Sequence, residues 1–243
     1  MKARVGVLVF PGTNSEEETV RACRSVGLES DAVHWNADLD DLRRYDAYVL
    51  PGGFAYEDRV RAGAIAAHDR VMRAVREGAE AGKLVLGICN GAQILLESGL
   101  VPAVGGDRRR QAGFARNAPL GKFRSTHVHM KLVIPPERCA ITAHLVRGQV
   151  IPAWASHAEG RLAAHDDMLD AIARDGHLAF VYTDSRGNPT QAAVPNGSAL
   201  GAAGLVNDRG NVLAIMPHPE REMLLPINGM KLFWSFATAL GIR

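Results

Sequence analysis

The chain has 243 residues, 47% of them hydrophobic and 22% charged, a composition typical of a globular protein with a sizeable core. Its formal net charge of +2 argues against a surface built for nucleic acids or anionic membranes. The three cysteines, Cys23, Cys89 and Cys139, are odd in number and widely spaced, so they show no zinc pattern and argue against a disulfide framework. No apolar run reaches the roughly 18 residues of a membrane span, and we expect a cytoplasmic protein.

Short apolar segments alternate with amphipathic ones in the first half. The pattern predicts strands at 4–10, 30–35, 45–50 and 83–88, and helices at 14–26, 62–81 and 90–98. This alternation predicts an α/β fold of the flavodoxin-like kind, with a mostly parallel central sheet covered by helices on both faces. In such sheets the functional site lies at the carboxyl ends of the strands.

The second half predicts additional antiparallel strands and a closing helix. Strands are expected at 127–134 and 177–183, a hairpin at 203–206 and 211–216, loops at 151–160 and 188–196, and a helix at 228–241. No repeat, low-complexity tract or linker divides the chain. Residues 1–243 are therefore predicted to form a single domain.

One cysteine stands where a predicted strand meets a predicted helix. Cys89 lies between Gly87 and Gly91 in GICNG, which matches the pattern Gly-x-nucleophile-x-Gly. The first turn of the following helix would stabilise a thiolate, and the Asn90 N–H could bind an oxyanion. The alternative is a buried core cysteine with glycines for packing. Cys23 and Cys139 lack this context and are predicted to be structural.

A cysteine nucleophile needs a base, and His218 is the best candidate. It lies in IMPHPER, where Pro217 and Pro219 stiffen the backbone. In an extended segment His218 and Glu220 share a face, so the carboxylate could orient the imidazole. The alternative is a helix entry with an exposed histidine.

Several weaker signals lie at other predicted strand ends and loops. Gly52 and Gly53 follow a strand and could complete an oxyanion hole, but they lack the spacing of a Walker or dinucleotide loop. The stretch 10–14, FPGTN, could cradle a phosphate, although the glutamates at 16–18 would repel one.

The histidines offer two further groups. His127 and His129 are two apart on a strand but have no third ligand at a convincing spacing, so no metal site is predicted. His157 and Glu159 in SHAEG could line a cleft, as could Phe54 beside the glycine turn.

Three segments together, PGGF, GICNGAQIL and PHPE, make the chain resemble the class I (triad) glutamine amidotransferases. Within that class, longer stretches are similar to the family of glutaminase subunits of phosphoribosylformylglycinamidine synthase. These stretches are VFPGTN, PGGFAYEDRVRAGAIA, LGICNGAQILLESGLVP, SHAEG and PNGSALGAAGLVNDRGNVLAIMPHPER. The resemblance runs along nearly the whole chain.

The resemblance implies that glutamine is hydrolysed to glutamate and ammonia through a thioester. It assigns Cys89 as nucleophile, His218 as base and then acid, and Glu220 as the group that orients His218. Gly53 and Asn90 match oxyanion positions, and Gln93 borders the glutamine pocket.

The resemblance also implies partners. Ammonia passes to a separate synthetase subunit, which uses ATP and Mg to convert formylglycinamide ribonucleotide to the amidine, and a small third protein often joins the complex. No cofactor is expected on this chain, which agrees with the missing phosphate loop.

The chain departs from the family pattern at four places. Glu57 stands where the family has glycine, Val60 replaces a common leucine, SHAEG differs from AHGEG, and 107–119 follows no recognised pattern. Two other functions stay open: a cysteine hydrolase of similar fold, such as a protease or deglycase, and a non-catalytic regulatory subunit. Proteases and deglycases of this fold usually carry histidine directly after the nucleophile, whereas Asn90 follows Cys89 here.

Overall fold

The computed structural model of this protein describes residues 2–224 and 230–242. The strands are β1 (Arg4–Val9), β2 (Glu29–His34), β3 (Ala47–Leu50), β4 (Leu84–Ile88), β5 (Gly113–Ala115), β6 (Arg124–Leu132), β7 (Val150–His157), β8 (Arg161–Ala163), β9 (Leu178–Thr183), β10 (Ala202–Val206) and β11 (Val212–Ile215). The helices are α1 (Glu16–Ser25), α2 (Leu39–Arg43), α3 (Val71–Glu80), α4 (Asn90–Glu97), α5 (Asp166–Arg174) and α6 (Lys231–Ala239). None of the helices in these ranges is long and apolar enough to span a lipid bilayer.

Nine of the strands described in these ranges form one sheet, in the order β2-β1-β3-β4-β11-β10-β9-β6-β7. The five strands from β2 to β11 run parallel to one another. The remaining four extend the sheet by antiparallel pairings, and β10 and β11 form the predicted hairpin. β5 and β8 make a separate two-stranded ribbon. The predicted α/β architecture, with antiparallel strands added by the second half, is confirmed.

Both faces of the parallel strands are covered. Every residue of β3, β4 and β11 is buried, although successive side chains of a strand point to opposite faces. α1 packs against β1 and β2, while α4 packs against β4 and β11. Complete burial of these strands requires a layer on each side of the sheet, as the sequence predicts.

Two predicted elements differ from those observed. The predicted helix at 62–81 is a short 3₁₀ turn, Ala66–His68, followed by α3. Asp69 separates them, because its carboxylate accepts the Val71 N–H (3.2 Å) and the Tyr56 hydroxyl (2.5 Å), which favours a new helix start.

The predicted loop at 151–160 is wrong over most of its length, since Val150–His157 is strand β7. β7 is the outermost strand, where Pro152 is tolerated. The sequence also gives no prediction for α2, α5, β5 and β8. Of the predicted closing helix at 228–241, residues 228 and 229 lie outside the described residues.

The carboxyl ends of four parallel strands meet at one edge of the sheet. Gly12 follows β1, Gly52 follows β3, Cys89 follows β4 and His218 follows β11. Because parallel strands end at the same edge, segments far apart in the sequence come together there.

Glycines beside Cys89 allow α4 to lie close to the sheet. A Cβ atom at Gly91 would collide with the Leu50 carbonyl oxygen at the end of β3. A Cβ atom at Gly87 would lie 2.7 Å from the Gly91 oxygen. Both contacts involve backbone atoms, which cannot rotate away as a side chain could. The glycines are therefore packing requirements of the strand-to-helix turn.

We expect Gly91→Ala to lower the free energy of unfolding by about 3 kcal/mol, because α4 must move away from β3. Chemical denaturation measures this change. Gly148→Ala is the matched control: its Cβ meets nothing within 4 Å, and its φ of +84° costs only about 1 kcal/mol. Equal losses in the two variants would contradict the packing argument.

Candidate active site

The backbone of Cys89 is held in a strained conformation. Its φ of 51° and ψ of −106° are rare for a residue with a side chain, and such conformations cost roughly 1–3 kcal/mol. Two hydrogen bonds hold it: the Cys89 N–H donates to the Ile215 carbonyl (2.8 Å), and the Gln93 N–H donates to the Cys89 carbonyl (3.1 Å). The predicted strand–elbow–helix turn is present.

The Cys89 side chain is buried at the start of α4, with 4% of the residue exposed. Its Sγ lies 3.6 Å from the Ser156 carbonyl oxygen, at the end of β7. The first N–H groups of a helix have no carbonyl partner within it, and the helix dipole favours negative charge there. The role of the Asn90 N–H in an oxyanion hole stays a prediction.

His218 and Glu220 form a buried pair. The His218 Nδ1 lies 2.5 Å from Glu220 Oε1, and each residue is 1% exposed. Since a carboxylate only accepts, the proton of this bond belongs to Nδ1, and Nε2 is left without a hydrogen-bond partner in the described residues. The alternative of a helix entry is correct in part, since a 3₁₀ helix begins at Pro219 (Pro219–Leu224), but the exposure that it predicts for His218 is wrong.

The charge of His218 is set by its neighbours. Burial alone would lower the pKa of His218, but the Glu220 carboxylate and the Cys89 sulfur together raise it to about 10. The imidazolium is thus favoured beside a thiolate, although no formed hydrogen bond joins Nε2 to the sulfur.

An outer strand fixes the backbone of His218. The His218 N–H donates to the Trp154 carbonyl (2.9 Å), and the Trp154 N–H donates to the His218 carbonyl (3.2 Å). Trp154 lies on β7, which also supplies the Ser156 carbonyl near Cys89. β7, which the sequence does not predict, therefore aligns the histidine with the cysteine.

The glycine turn after β3 packs directly against the histidine. A Cβ at Gly52 would collide with His218 Cε1, and a Cβ at Gly53, whose φ is 157°, would lie 2.6 Å from the Thr13 Cα. These positions therefore need glycine. Phe54, the next residue, is 43% exposed and its ring stacks on Phe123 with centroids 6.5 Å apart, so it lies at the rim.

Asn90 and Gln93 connect three parts of the site. The Asn90 Oδ1 accepts the Ala55 N–H (3.0 Å), and its Nδ2 donates to Gln93 Oε1 (2.8 Å) and Asp58 Oδ1 (3.2 Å). The Gln93 Nε2 donates to the Glu159 carbonyl (2.6 Å). Both side chains therefore join the elbow helix to the segment after the glycine turn and to the segment after β7.

His157 is buried and neutral. Burial and the positive charge of His218 lower the pKa of His157 to about 4, and its Nδ1 lies 3.3 Å from Asn117 Oδ1. Gly160 is needed beside it, since a Cβ there would collide with the imidazole. His157 thus packs behind the site. Glu159 accepts the Ala62 N–H (3.1 Å) and lines an open cavity of about 560 Å³.

Asn117 and Asn196 are structural residues of this site that the sequence analysis misses. Asn117 Nδ2 donates to the His157 carbonyl (2.8 Å), and its Oδ1 accepts the Gly160 N–H (3.0 Å). Asn196 Nδ2 donates to the Gly160 carbonyl (2.7 Å). Asn196 is fully buried, which corrects the end of the predicted exposed loop at 188–196. Asparagines beside proline or glycine turns were the available signal.

The segment after the glycine turn departs from ordinary backbone geometry. Tyr56, Glu57, Asp58 and Val60 all have positive φ, between 51° and 72°. Glycine adopts this region without strain, so its use at the position of Glu57 in the resembling family has a physical reason. Burial and the charge of Glu159 raise the pKa of Asp58 to about 6.

The other two cysteines are buried, and Cys23 is close enough to Glu220 for the charge of that carboxylate to raise its pKa as well. Burial is the main cause that raises the pKa of Cys23 to about 12 and that of Cys139 to about 11. Both are therefore protonated near neutral pH and poor nucleophiles, as their predicted structural role requires.

The phosphate interpretation of 10–14 is wrong. The N–H groups of Asn14 and Ser15 donate to the Gly52 carbonyl, at 3.3 and 3.1 Å, and are not available to an anion. His127 and His129 lie with ring centroids 5.2 Å apart on β6, and the His127 ring contacts Trp154.

In the described part of the chain, one group of three side chains could supply metal ligands: Glu18, His218 and Glu220, with atoms within 4.8 Å of one another. His218 and Glu220 already bond to each other, and Arg221 binds Glu18 (2.9 Å). The three groups are therefore paired within the protein. The absence of a metal stays a prediction.

The segment 107–119, which matches no family pattern, lines the open cavity. β5 pairs there with β8, and the lining residues are Arg61, Glu97, Arg110, Gln111, Ala112, Gly113, Phe114, Ala115, Arg116, Glu159, Ala163, Ala164 and His165. Glu97 pairs with Arg61 (2.5 Å) and lies 3.6 Å from Arg110.

Known proteins resemble this chain over nearly its whole length. The CobB/CobQ-like glutamine amidotransferase domain matches residues 2–228. A Symbiobacterium thermophilum protein named phosphoribosylformylglycinamidine synthase subunit PurQ is 44% identical, over 98% of this chain and 97% of that protein. The protein of the same name from Pyrococcus furiosus is 40% identical, over 95% of each chain.

Solved structures agree. A chain of "Structure of PurLQS from Thermotoga maritima" is 32% identical and superposes with a TM-score of 0.79, over 99% of this chain and 100% of that one. The glutaminase domain of Trypanosoma brucei CTPS is 15% identical with a TM-score of 0.59, over 99% of this chain and 94% of that one, and shows the shared fold alone.

Glu220→Gln should lower the pKa of His218 well below about 10, because burial then acts without the opposing carboxylate charge. Since the imidazolium then no longer supports a thiolate, alkylation of Cys89 by iodoacetamide at neutral pH should slow about tenfold. NMR titration of the imidazole and alkylation rates measure these effects. Glu57→Gln, at an exposed carboxylate, is the control, and an unchanged His218 pKa in Glu220→Gln would contradict the assignment.

Proposed function

Since this chain belongs to the CobB/CobQ-like glutamine amidotransferase family, we propose that it is the glutaminase subunit of phosphoribosylformylglycinamidine synthase, in purine biosynthesis. The observation that carries the proposal is identity of 40–44%, over nearly the full length, to proteins of that name. The whole chain, residues 1–243, acts as one glutamine amidotransferase domain.

The reaction begins with the thiolate of Cys89. Its sulfur attacks the carboxamide carbon of glutamine, and the N–H groups of Gly53 and Asn90 stabilise the oxyanion. The C–N bond then breaks, and His218 donates a proton to the departing ammonia, which leaves a glutamyl thioester. The buried His218–Glu220 pair supports these roles, because Glu220 accepts the Nδ1 proton and so holds the imidazole with Nε2 available for proton transfer.

Hydrolysis of the thioester returns the enzyme to its starting state. His218, now neutral, takes a proton from water as the water oxygen attacks the thioester carbon. The C–S bond breaks, glutamate leaves and the thiolate is regenerated. Glu220 stabilises the imidazolium each time it forms. Gln93, bound to Asn90, holds the wall of the pocket beside the elbow.

Ammonia then passes to the synthetase subunit, which uses ATP and Mg to make formylglycinamidine ribonucleotide. This chain itself carries no cofactor in the proposal. The PurLQS structure, to which this chain is similar, supports a synthetase partner and a small third subunit. The complex acts in the cytoplasm.

Cys89→Ala should lower glutamine-dependent amidine formation by the complex roughly a thousandfold or more, since it removes the nucleophile. Ammonia-dependent synthesis should survive, because the synthetase chemistry is separate. Product formation with each nitrogen source measures both. Cys139→Ala is the control and should retain activity. Full glutamine-dependent activity in Cys89→Ala would instead support a regulatory subunit.

The isolated subunit should hydrolyse glutamine at least about tenfold more slowly than the complex. The strained segment from Tyr56 to Val60 adjoins the oxyanion turn, and a bound partner could fix its conformation. Glutamate release with and without the synthetase measures this. Equal rates in the two states would contradict activation by the partner.

A further inference from the structure

The segment from Gly12 to Glu18, after β1, touches both halves of the active site. Its first half holds the glycine turn after β3: Thr13 pairs with Gly53, and the Phe54 N–H donates to the Gly12 carbonyl (2.8 Å). The N–H groups of Asn14 and Ser15 both donate to the Gly52 carbonyl. The backbone of this segment therefore sets the position of the predicted oxyanion turn.

The second half of the same segment holds the residue after Glu220. Arg221 Nε donates to Glu18 Oε1 (2.9 Å), and its Nη2 lies 3.2 Å from the Ser15 Oγ. Ser15 is fully buried, and the charged side chains are 28–29% exposed. Arg221 thus binds the carboxylate of Glu18, which lies on α1, and the hydroxyl of Ser15, which lies just before α1.

Close packing joins these contacts to the catalytic pair. A Cβ on Gly52 would lie 3.2 Å from Ser15 Oγ and would collide with the His218 imidazole, so Gly52 lies between these two side chains. A carboxylate oxygen of Glu18 lies within 4.8 Å of ligand atoms on His218 and Glu220. Arg221 and the Ser15 hydroxyl therefore lie close to His218, and Arg221 donates hydrogen bonds to that hydroxyl and to Glu18.

We propose that Ser15, Glu18 and Arg221 are positioning residues that hold the His218–Glu220 pair at a fixed position relative to the oxyanion turn, Gly52–Gly53. This group, called the brace, rests on the proposed glutaminase function. Thioester formation needs the proton donor and the oxyanion N–H groups on the same glutamine carboxamide. The brace links the segment that carries His218 to the glycine turn that carries an oxyanion N–H group. It contacts the glycine turn at Gly52, and it contacts the histidine segment next to Glu220.

Charge gives the brace a second effect. Among the described side chains, the titratable groups that act on or lie near His218 include Cys89, His157, Glu220 and Glu18, and Arg221 offsets the carboxylate of Glu18. Without Arg221, the negative charge of Glu18 would stand unpaired close to Glu220. The arginine therefore also limits repulsion between two carboxylates beside one imidazole.

The test compares Ser15→Ala, Arg221→Met and the double variant as complexes with the synthetase. Arg221→Met should lower kcat for glutamine hydrolysis about tenfold or more, because displacement of the base weakens proton transfer. KM should stay within about twofold, since these residues do not bind substrate. The double variant should be no slower than Arg221→Met, because Ser15 acts through the arginine.

Controls separate this effect from loss of folding. The fraction of Cys89 that iodoacetamide alkylates gives the fraction of molecules with an intact site. The rate of ammonia-dependent synthesis shows whether each variant still assembles with an active synthetase. Arg24→Met removes an arginine from α1, the helix that carries Glu18. Among the described residues Arg24 donates to the Ser30 carbonyl alone, and this variant should keep wild-type kcat. If Arg221→Met does not fold, Glu18→Gln and Ser15→Ala replace it, each with an expected fall in kcat of about threefold.

Wild-type kcat in these variants would overturn the brace while leaving the glutaminase assignment intact. Multiplicative losses in the double variant, or a tenfold rise in KM at constant kcat, would also overturn it. If the unmodified complex released no glutamate from glutamine, the proposed function itself would fail, and the brace with it.

Discussion

The site depends on the backbone of one residue, Cys89, which joins β4 to α4 at a φ of 51°. That conformation points the sulfur toward the edge where the parallel strands end, and it is unfavourable by itself. This conformation persists because the Cys89 backbone forms hydrogen bonds with the backbones of Ile215 and Gln93, and because Gly91 lets α4 lie against Leu50. The packing of α4 against the nine-stranded sheet therefore supplies the free energy that keeps the elbow strained, and the position of the thiol depends on the whole fold.

Two buried histidines in this region differ in charge: His218 is protonated and His157 is neutral near pH 7. Burial lowers the pKa of both, and only His218 has a carboxylate to reverse the effect. His157 stays neutral and helps to hold the segment after β7 through Asn117. The position of one carboxylate, Glu220, thus keeps one of these imidazoles protonated while the other stays neutral. A second full positive charge at His157 would compete for that carboxylate and weaken the imidazolium at His218.

Local patterns were enough to predict the elbow and the base. The glycines around Cys89 and the prolines around His218 impose geometry within a few residues, so a single stretch of sequence carries the signal. β7 gave no such signal, because a proline and a glycine in its vicinity resemble a loop and its edge position becomes visible only in the sheet. Asn117 and Gly160 meet across 43 residues, and Asp69 interrupts a predicted helix through Tyr56. Such contacts depend on tertiary structure and cannot be found by periodicity.

The bond between Arg221 and Glu18 joins residues 203 positions apart. During synthesis from the N-terminus, the cysteine, the glycine turn and α1 leave the ribosome long before the segment that carries the histidine. In a growing chain, Cys89 is therefore present before the imidazole that lies near it in the folded protein. Contacts across such a separation also form late in folding, since closing a long loop is slow. The contacts of His218, Glu220 and Arg221 with the first half of the chain can therefore form only after residue 221 has been synthesised.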